Sequence, residues 1–494
     1  MLRLRFRILP AILAVGCAPP AKLTVLMHFR PGQQAFFQDR ILKPFEKKHN
    51  CVIEVRAYED PLDLPELLAR PGDTLDLINP PLEMTRSLAG RNLVAPLEEI
   101  VSPKELADMR KEFFLMDLGR IKDRYYFIPR YLETPLLVYL KPQVAEAVQY
   151  WELRRDEINR ALMKYNGRGL PRNYQLEKDP GQWDAFDLFV AGYYWKNKEI
   201  RGQKRGRMSL GPLFSHGTPN SLMDKAYQGG AAADGILRMG DEAVLDMFQW
   251  QAAAIREGTL NPSLIRSRWS EEQTWQAFQS GELFLSEATQ MEAFFIHGNG
   301  TPQLPGYLAS PEDLGLSIMP RGASLQLDAQ GQPVRMGRRS VATRGWWWGI
   351  SRRSRDRALA YRLARYLSST EIQIEECTAF GMIPVRQDLL GELGLMFGGG
   401  WMSEVFSSAA QQLVENRYTV LPLLEEFPEI SRNYQEAFQE TCVAGANRKG
   451  GFEDIGKILE ERYIPRQRVI LGAKYPVRAL SSRTGSPTPQ ATND

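Results

Sequence analysis

In 494 residues the chain has only four cysteines and four histidines, and none falls into a CxxC or Cys/His ligand spacing. That scarcity removes a zinc-finger site and a redox dithiol from consideration. No Gly-x-Ser-x-Gly elbow, Walker loop, His-Glu-x-x-His helix or dinucleotide fingerprint is present, so the common signatures of catalysis are missing. The paired carboxylates Glu98-Glu99 and Glu425-Glu426 are adjacent in sequence, with no reason to flank one glycosidic bond. No internal repeat occurs, and no apolar run reaches membrane-spanning length. Charge is balanced as well. The formal net charge of +3 is carried by Arg3, Arg5 and Arg7, and without them 59 basic side chains face 59 acidic ones. A neutral body argues against nucleic acid as a partner. The basic stretches 201–207 and 352–357 are short and interrupted by acid or glycine, which reads as solvated surface.

The extreme N-terminus has its own character. Met1–Arg7 is basic, Ile8–Val15 is apolar, and Ala14-Val15-Gly16-Cys17 is a row of small residues ending in cysteine. Residues 1–16 therefore read as a secretory signal peptide, too short to span a bilayer. The row resembles a bacterial lipoprotein signal, which implies that Cys17 becomes a lipidated first residue and that attachment to the membrane is by lipid. By the same resemblance Ala18, which is not aspartate, favours the outer membrane, with a periplasmic or cell-surface location. Cys51, Cys377 and Cys442 remain. Two of them pairing, or all three staying buried thiols, both fit an exported protein.

Beyond the leader, strand and helix patterns alternate. Lys22–Met27 reads as a buried first strand. Phe36, Phe37, Ile41 and Phe45 follow near helical spacing, and Val52–Tyr58 alternates as a second strand. Leu62–Leu68 reads as a helix and Thr74–Asn79 as a third strand. Leu136–Leu140, Leu283–Leu285 and Leu314–Pro320 are further strands, and Trp183–Trp195 and Asp241–Arg256 further helices. This order predicts an α/β fold with a parallel or mixed sheet. Residues 144–183 look like an insertion, and the Ser/Thr/Pro-rich 476–494 reads as a disordered tail.

The densest signal runs from Gly345 to Arg386: GWWWGIS, a charged helix with one apolar stripe, then GMIPVR. Three consecutive tryptophans each bury a large surface and each need a partner for the indole N–H. A strand would turn Trp346 and Trp348 to one face and Trp347 to the other. Together with LTVLMHF, LKPFEKKHNCVIEV, GDTLDLIN, YYFIPRYLETPLLVYLK, QWDAFDLF, FQSGELFLSEA and LGLSIMPRG, in that order, this segment resembles the extracellular solute-binding proteins of ABC importers, of the carbohydrate type that includes maltose and oligosaccharide binders. The resemblance covers most of residues 22–390. It implies a type II periplasmic-binding-protein-like fold: two discontinuous α/β lobes on a hinge, closing on a ligand. Residues 22–139 with 291–367 would form lobe I, 140–290 with 368–475 lobe II, and 17–21 the lipidated linker. It further implies a small carbohydrate ligand, ABC permease subunits as partners, a monomeric receptor, and neither cofactor, metal nor catalytic residue.

A neutral polyol is held by flat aromatic faces and planar polar side chains in a concave site. Trp346 aligns with the tryptophan of the family's Gly-Gly-Trp strand and is the stacking candidate, with Trp347 and Trp348 assigned to packing. Glu133 stands where sugar-binding relatives carry a ligand-contacting glutamate, and Tyr131 shares its face on an extended segment. Arg386 is a candidate for a ligand hydrogen bond or a hinge lock. His28 and Phe29 after the first strand, and Asp76 and Asn79 at the third, lie at carboxyl ends of strands, where open α/β sheets place ligands. Gln290 and Met291 occupy the place at which relatives often carry Gly-Pro-Trp. Two other readings stay open: an exported carbohydrate-active enzyme, and the same fold serving a non-sugar solute or a sensor.

Overall fold

The computed structural model describes residues 20–30, 32–196, 198–200, 203–204, 207–209, 217–261, 265, 269–298, 304–390, 399–417, 419–445 and 452–472. The expected leader, Cys17, Ala18 and the tail 476–494 lie outside the described residues. Two main sheets are built from Ala21–Met27 (β1), Cys51–Ala57 (β2), Leu77–Ile78 (β3), Phe127–Glu133 (β4), Pro135–Leu140 (β5), Arg207–Ser209 (β6), Leu283–Thr289 (β7), Leu314–Ser317 (β8), Arg344–Ile350 (β9) and Ile383–Pro384 (β10). The first has the order β10-β4-β9-β3-β1-β2 and the second β6-β7-β5-β8.

β1 is buried from Leu23 onward because it is central, with parallel neighbours β2 and β3 on its two sides. Parallel strands need a crossover, and the helical stretch Gln33–His49 supplies it, burying Phe37, Ile41 and Phe45. It stops at Asn50, whose left-handed φ of 46° ends the helix. Helix Arg357–Leu367 packs on β9, β3 and β4 of this sheet, while helices Gln290–His297 and Gly400–Asn416 pack on the second. A separate apolar core gathers Leu222, Met223, Ile236, Phe248, Tyr434 and Leu459 between helices Gly217–Gln228, Glu242–Arg256 and Phe427–Phe438.

The sheets divide the chain differently from the expected lobe boundaries. Pro135–Leu140 pairs wholly within the second sheet. Leu314–Ser317, expected with lobe I, pairs with β5 of the second sheet, and Ile383–Pro384, expected with lobe II, pairs with β4 of the first. Alternation identifies a strand but carries no information about its partner. The third strand is also shorter than Thr74–Asn79. The 144–183 segment is no appendage: Trp151, Ile158, Leu162 and Tyr174 are part of the main core. All three described cysteines are free, buried thiols.

Candidate functional site

The site is built where the chain passes between sheets. Thr134 alone separates β4 from β5, so the backbone leaves one sheet and joins the other within one residue. Gln290, the first residue of the helix that follows β7, clamps this step. Its Oε1 accepts from the Thr134 N–H at 2.9 Å, and its Nε2 donates to the carbonyls of Leu132 and Gly381, each at 3.2 Å. Asn416 holds the same step from the other side. It donates to Thr134 Oγ1 at 3.1 Å and Thr343 Oγ1 at 3.3 Å, and accepts from the Val341 N–H at 3.0 Å. These groups are fully buried and mutually satisfied, the condition under which a polar network makes a core rigid and unique.

Trp346 owes its position to a bulge. Pro129 has no N–H to give the ladder, and the pairing of β9 with β4 slips there: Trp346 faces Tyr131, but Trp347 faces Pro129. The Trp347 N–H donates instead to the Pro80 carbonyl at 3.0 Å. The skipped residue, Arg130, turns its guanidinium to Glu376 and to Asn79 Oδ1, and lies 4.9 Å from the Trp348 ring centre. Trp346 makes ring contact with His28 at 5.4 Å and Tyr131 at 6.3 Å.

Between the two sheets lies a cavity of about 40 Å³, room for a few water-sized groups rather than a sugar ring. Its wall includes Arg30, Glu83, Glu133, Asn220, Glu271, Glu287, Glu292, Arg344 and Trp346. Arg30 anchors one end, donating to Glu133 Oε1 at 3.1 Å and Glu271 Oε2 at 3.0 Å. Burial works against its charge, yet Glu271 and Glu133 carry its pKa well above the ordinary value. At the other end Arg344 pairs with Asp224. The carboxyl of Asp224 is pushed up to about 6 by burial, against the pull of Arg344. Burial, reinforced by Glu271, pushes Glu292 up to about 7. Burial also lowers His28 to about 4, against the opposing field of Glu271.

Of the residues proposed from sequence, the structure gathers His28, Tyr131, Glu133, Met291 and Trp346 around Arg30. Met291 takes a 3.6 Å contact from the Arg30 guanidinium to its sulfur. Only Glu133 and Trp346 of this group line the cavity. The remaining five are used elsewhere. Asp76 accepts from the Thr24 N–H and from Ser354 Oγ, and both ends of the Asn79 amide are taken, by Arg130 and by the Trp347 carbonyl. Phe29 packs at a tilt against Phe37, and Gln290 is the crossover clamp. Arg386 pairs with Asp388 at 3.0 Å and Glu112 at 3.5 Å, over the Phe113 ring. Sequence reading passed over Arg30, Glu83, Asn220, Glu271, Glu287, Glu292 and Arg344. A signal existed for two of them: Glu287 and Arg344 are the sole charged residues of β7 and β9, and such residues are rarely buried without a role.

Among the described residues no group of three or more His, Cys, Asp or Glu is arranged to hold a metal. The arrangement suits binding. The sequence profile of bacterial extracellular solute-binding proteins matches residues 40–392. The chain belongs to that family. Solved structures agree on the fold of this solute-binding protein: that of two-lobed periplasmic sugar-binding proteins. A maltose-bound MalE3 from T. maritima superposes with a TM-score of 0.63 at 15% identity, over 89% of this chain and 99% of that one. The GacH receptor of Streptomyces glaucescens, solved unliganded and with acarbose, gives 0.62 at 14% identity, over 90% and 98%. A solute-binding protein of Agrobacterium radiobacter in complex with ribitol gives 0.60 at 14% identity, over 88% and 97%. No curated protein matches the chain.

Proposed function

We propose that this solute-binding protein captures a carbohydrate or polyol between its two sheets and delivers it to an ABC permease, held to the membrane by a lipid on Cys17. The observation that supports this reading most is the placement of Trp346. It stands on the wall of a cavity framed by planar polar side chains, next to the buried crossovers that join the lobes. An indole face packs against sugar C–H surfaces, and the carboxylates and guanidinia around it are suited to hydroxyls. The cavity is too small for a sugar ring in the form described, so solute enters with the lobes apart. The closed form that holds solute is therefore wider than the form described, and binding stabilises it by its higher affinity for it. Glu133 and Trp346 are the proposed contacts, with Tyr131 and His28 supporting the indole.

A thermal-shift screen against mono- and oligosaccharides and polyols tests this. Ligand in excess raises the melting temperature with the logarithm of its concentration over Kd. Shifts with saccharides or polyols support the reading, and shifts confined to amino acids or polyamines refute it. Turnover of a glycoside would favour an enzyme instead. For the anchor, replacing Cys17 by alanine should release the protein from membranes; continued retention in the membrane fraction argues against lipidation.

A further inference from the structure

The cleft is more acidic than a neutral sugar requires, and its hydrogen bonds do not close on themselves. Five carboxylates line it (Glu83, Glu133, Glu271, Glu287 and Glu292), against the two guanidinia of Arg30 and Arg344 among the described residues. Most have assigned work. Glu133 and Glu271 hold Arg30, Glu83 accepts from Asn220 Nδ2 at 2.9 Å, and Glu292 caps its helix by accepting from the Thr289 N–H. Glu287 is different. Lys225 approaches its Oε2 at 3.0 Å, but its Oε1 has no partner, although the residue is only 5% exposed. Asn220 Oδ1, 2% exposed, also has none. Against these two idle acceptors stands one idle donor, Arg344 Nε.

Buried polar atoms are almost always satisfied, and these lie on the cavity wall, where a bound group rich in donors would complete them. Even with Glu292 held protonated and Lys225 counted beside Glu287, the surplus is of acceptors and of negative charge. A hydroxyl supplies one donor and no charge, whereas an ammonium supplies three donors and a charge that strengthens each bond. A divalent metal would also answer the charge, but among the described residues no three carboxylates are arranged as its ligands.

We infer that the solute presents an ammonium group to Glu287, with Asn220 Oδ1 as a second acceptor, and that its ring lies toward Trp346: an aminated sugar. This rests on the cleft being the solute site, as proposed above. It is tested by calorimetric titration with glucosamine and its β-1,4 disaccharide, their N-acetylated counterparts, cellobiose and 1,4-diaminobutane. N-acetylation keeps the ring and removes the charge. The expected result is binding of an aminated sugar at least tenfold tighter than its acetylated form, with the preference lost in Glu287→Gln. Because that variant strands Lys225, the double variant Glu287→Gln/Lys225→Met is measured beside it. Cellobiose or an acetylated sugar binding as well as the aminated one overturns the ammonium and leaves the carbohydrate reading standing. Diamine binding with no sugar bound keeps the ammonium and overturns the carbohydrate. An amine preference that survives in both variants removes Glu287 from the role, and binding of none of these probes counts against the proposal as a whole.

Discussion

Glu292→Gln isolates the electrostatic cost of the closed cleft. The Glu292 carboxyl is fully buried, and desolvation together with repulsion from Glu271 raises its pKa from 4.5 to about 7. The unfolded chain thus releases this proton near pH 4.5, and the native protein only near pH 7. Between those values the native state binds more protons, so stability falls as pH rises, and the loss is complete above about 7. A displacement of that size corresponds to on the order of 3 kcal/mol. Glutamine keeps the carbonyl oxygen that caps Thr289 and removes the titration. His28, depressed from 6.5 to about 4, works in the opposite direction, losing stability as pH falls between those two values, while Asp224, raised to about 6, adds to the fall with rising pH. Both are present in each protein and cancel in the comparison. The assay is the midpoint of urea unfolding for both proteins at half-unit steps from pH 5 to 8.5. The variant should gain on the wild type steadily with pH, by about 3 kcal/mol at most between the ends. If the two curves run parallel across the range, Glu292 is not held protonated by its surroundings and the electrostatic account of the cleft is wrong.

Two further outcomes are expected. Trp346→Ala removes a buried ring that contacts His28 and Tyr131, and should cost about 3–5 kcal/mol in chemical unfolding. Trp346→Phe should leave the fold intact and weaken saccharide binding by calorimetry, and unchanged affinity in the phenylalanine variant would remove the indole from the site. Asn416→Ala strands the Val341 N–H and takes a donor from the Thr134 and Thr343 hydroxyls in a dry interior, and should cost about 2–4 kcal/mol; a loss under about 1 kcal/mol would mean that the crossover does not depend on this clamp.

How much of this was legible can be traced residue by residue. β1, β2, β7 and β9 are runs whose apolar periodicity announces them, and their order carries the two-lobed α/β fold. The segment around Trp346 was singled out correctly as a strand, yet the slip at Pro129 that separates Trp346 from Trp347 is a pairing event. It depends on which strand lies alongside. Asp76 and Asn79 show the limit of position-based reasoning. Both lie at a strand end where ligands bind in open sheets, but hydrogen-bond partners 51 or more residues away in sequence had already claimed them. Arg386 is engaged both locally and at a distance, by Asp388 two residues on and by Glu112 far back in the chain.

The chain's own chemistry therefore determined which segments are strands and helices, that the body is neutral and free of common catalytic motifs, and which family it joins. These properties are local, set by side-chain periodicity, composition and motif order. Tertiary structure decided which sheet each strand enters, that Gln290 and Asn416 pin the crossovers, and that Glu83, Asn220, Glu271, Glu287 and Arg344 meet on one wall. Such convergence is a property of distance in space. Sequence separation does not encode it, and burial gives each of those charges a meaning that it lacks along the chain.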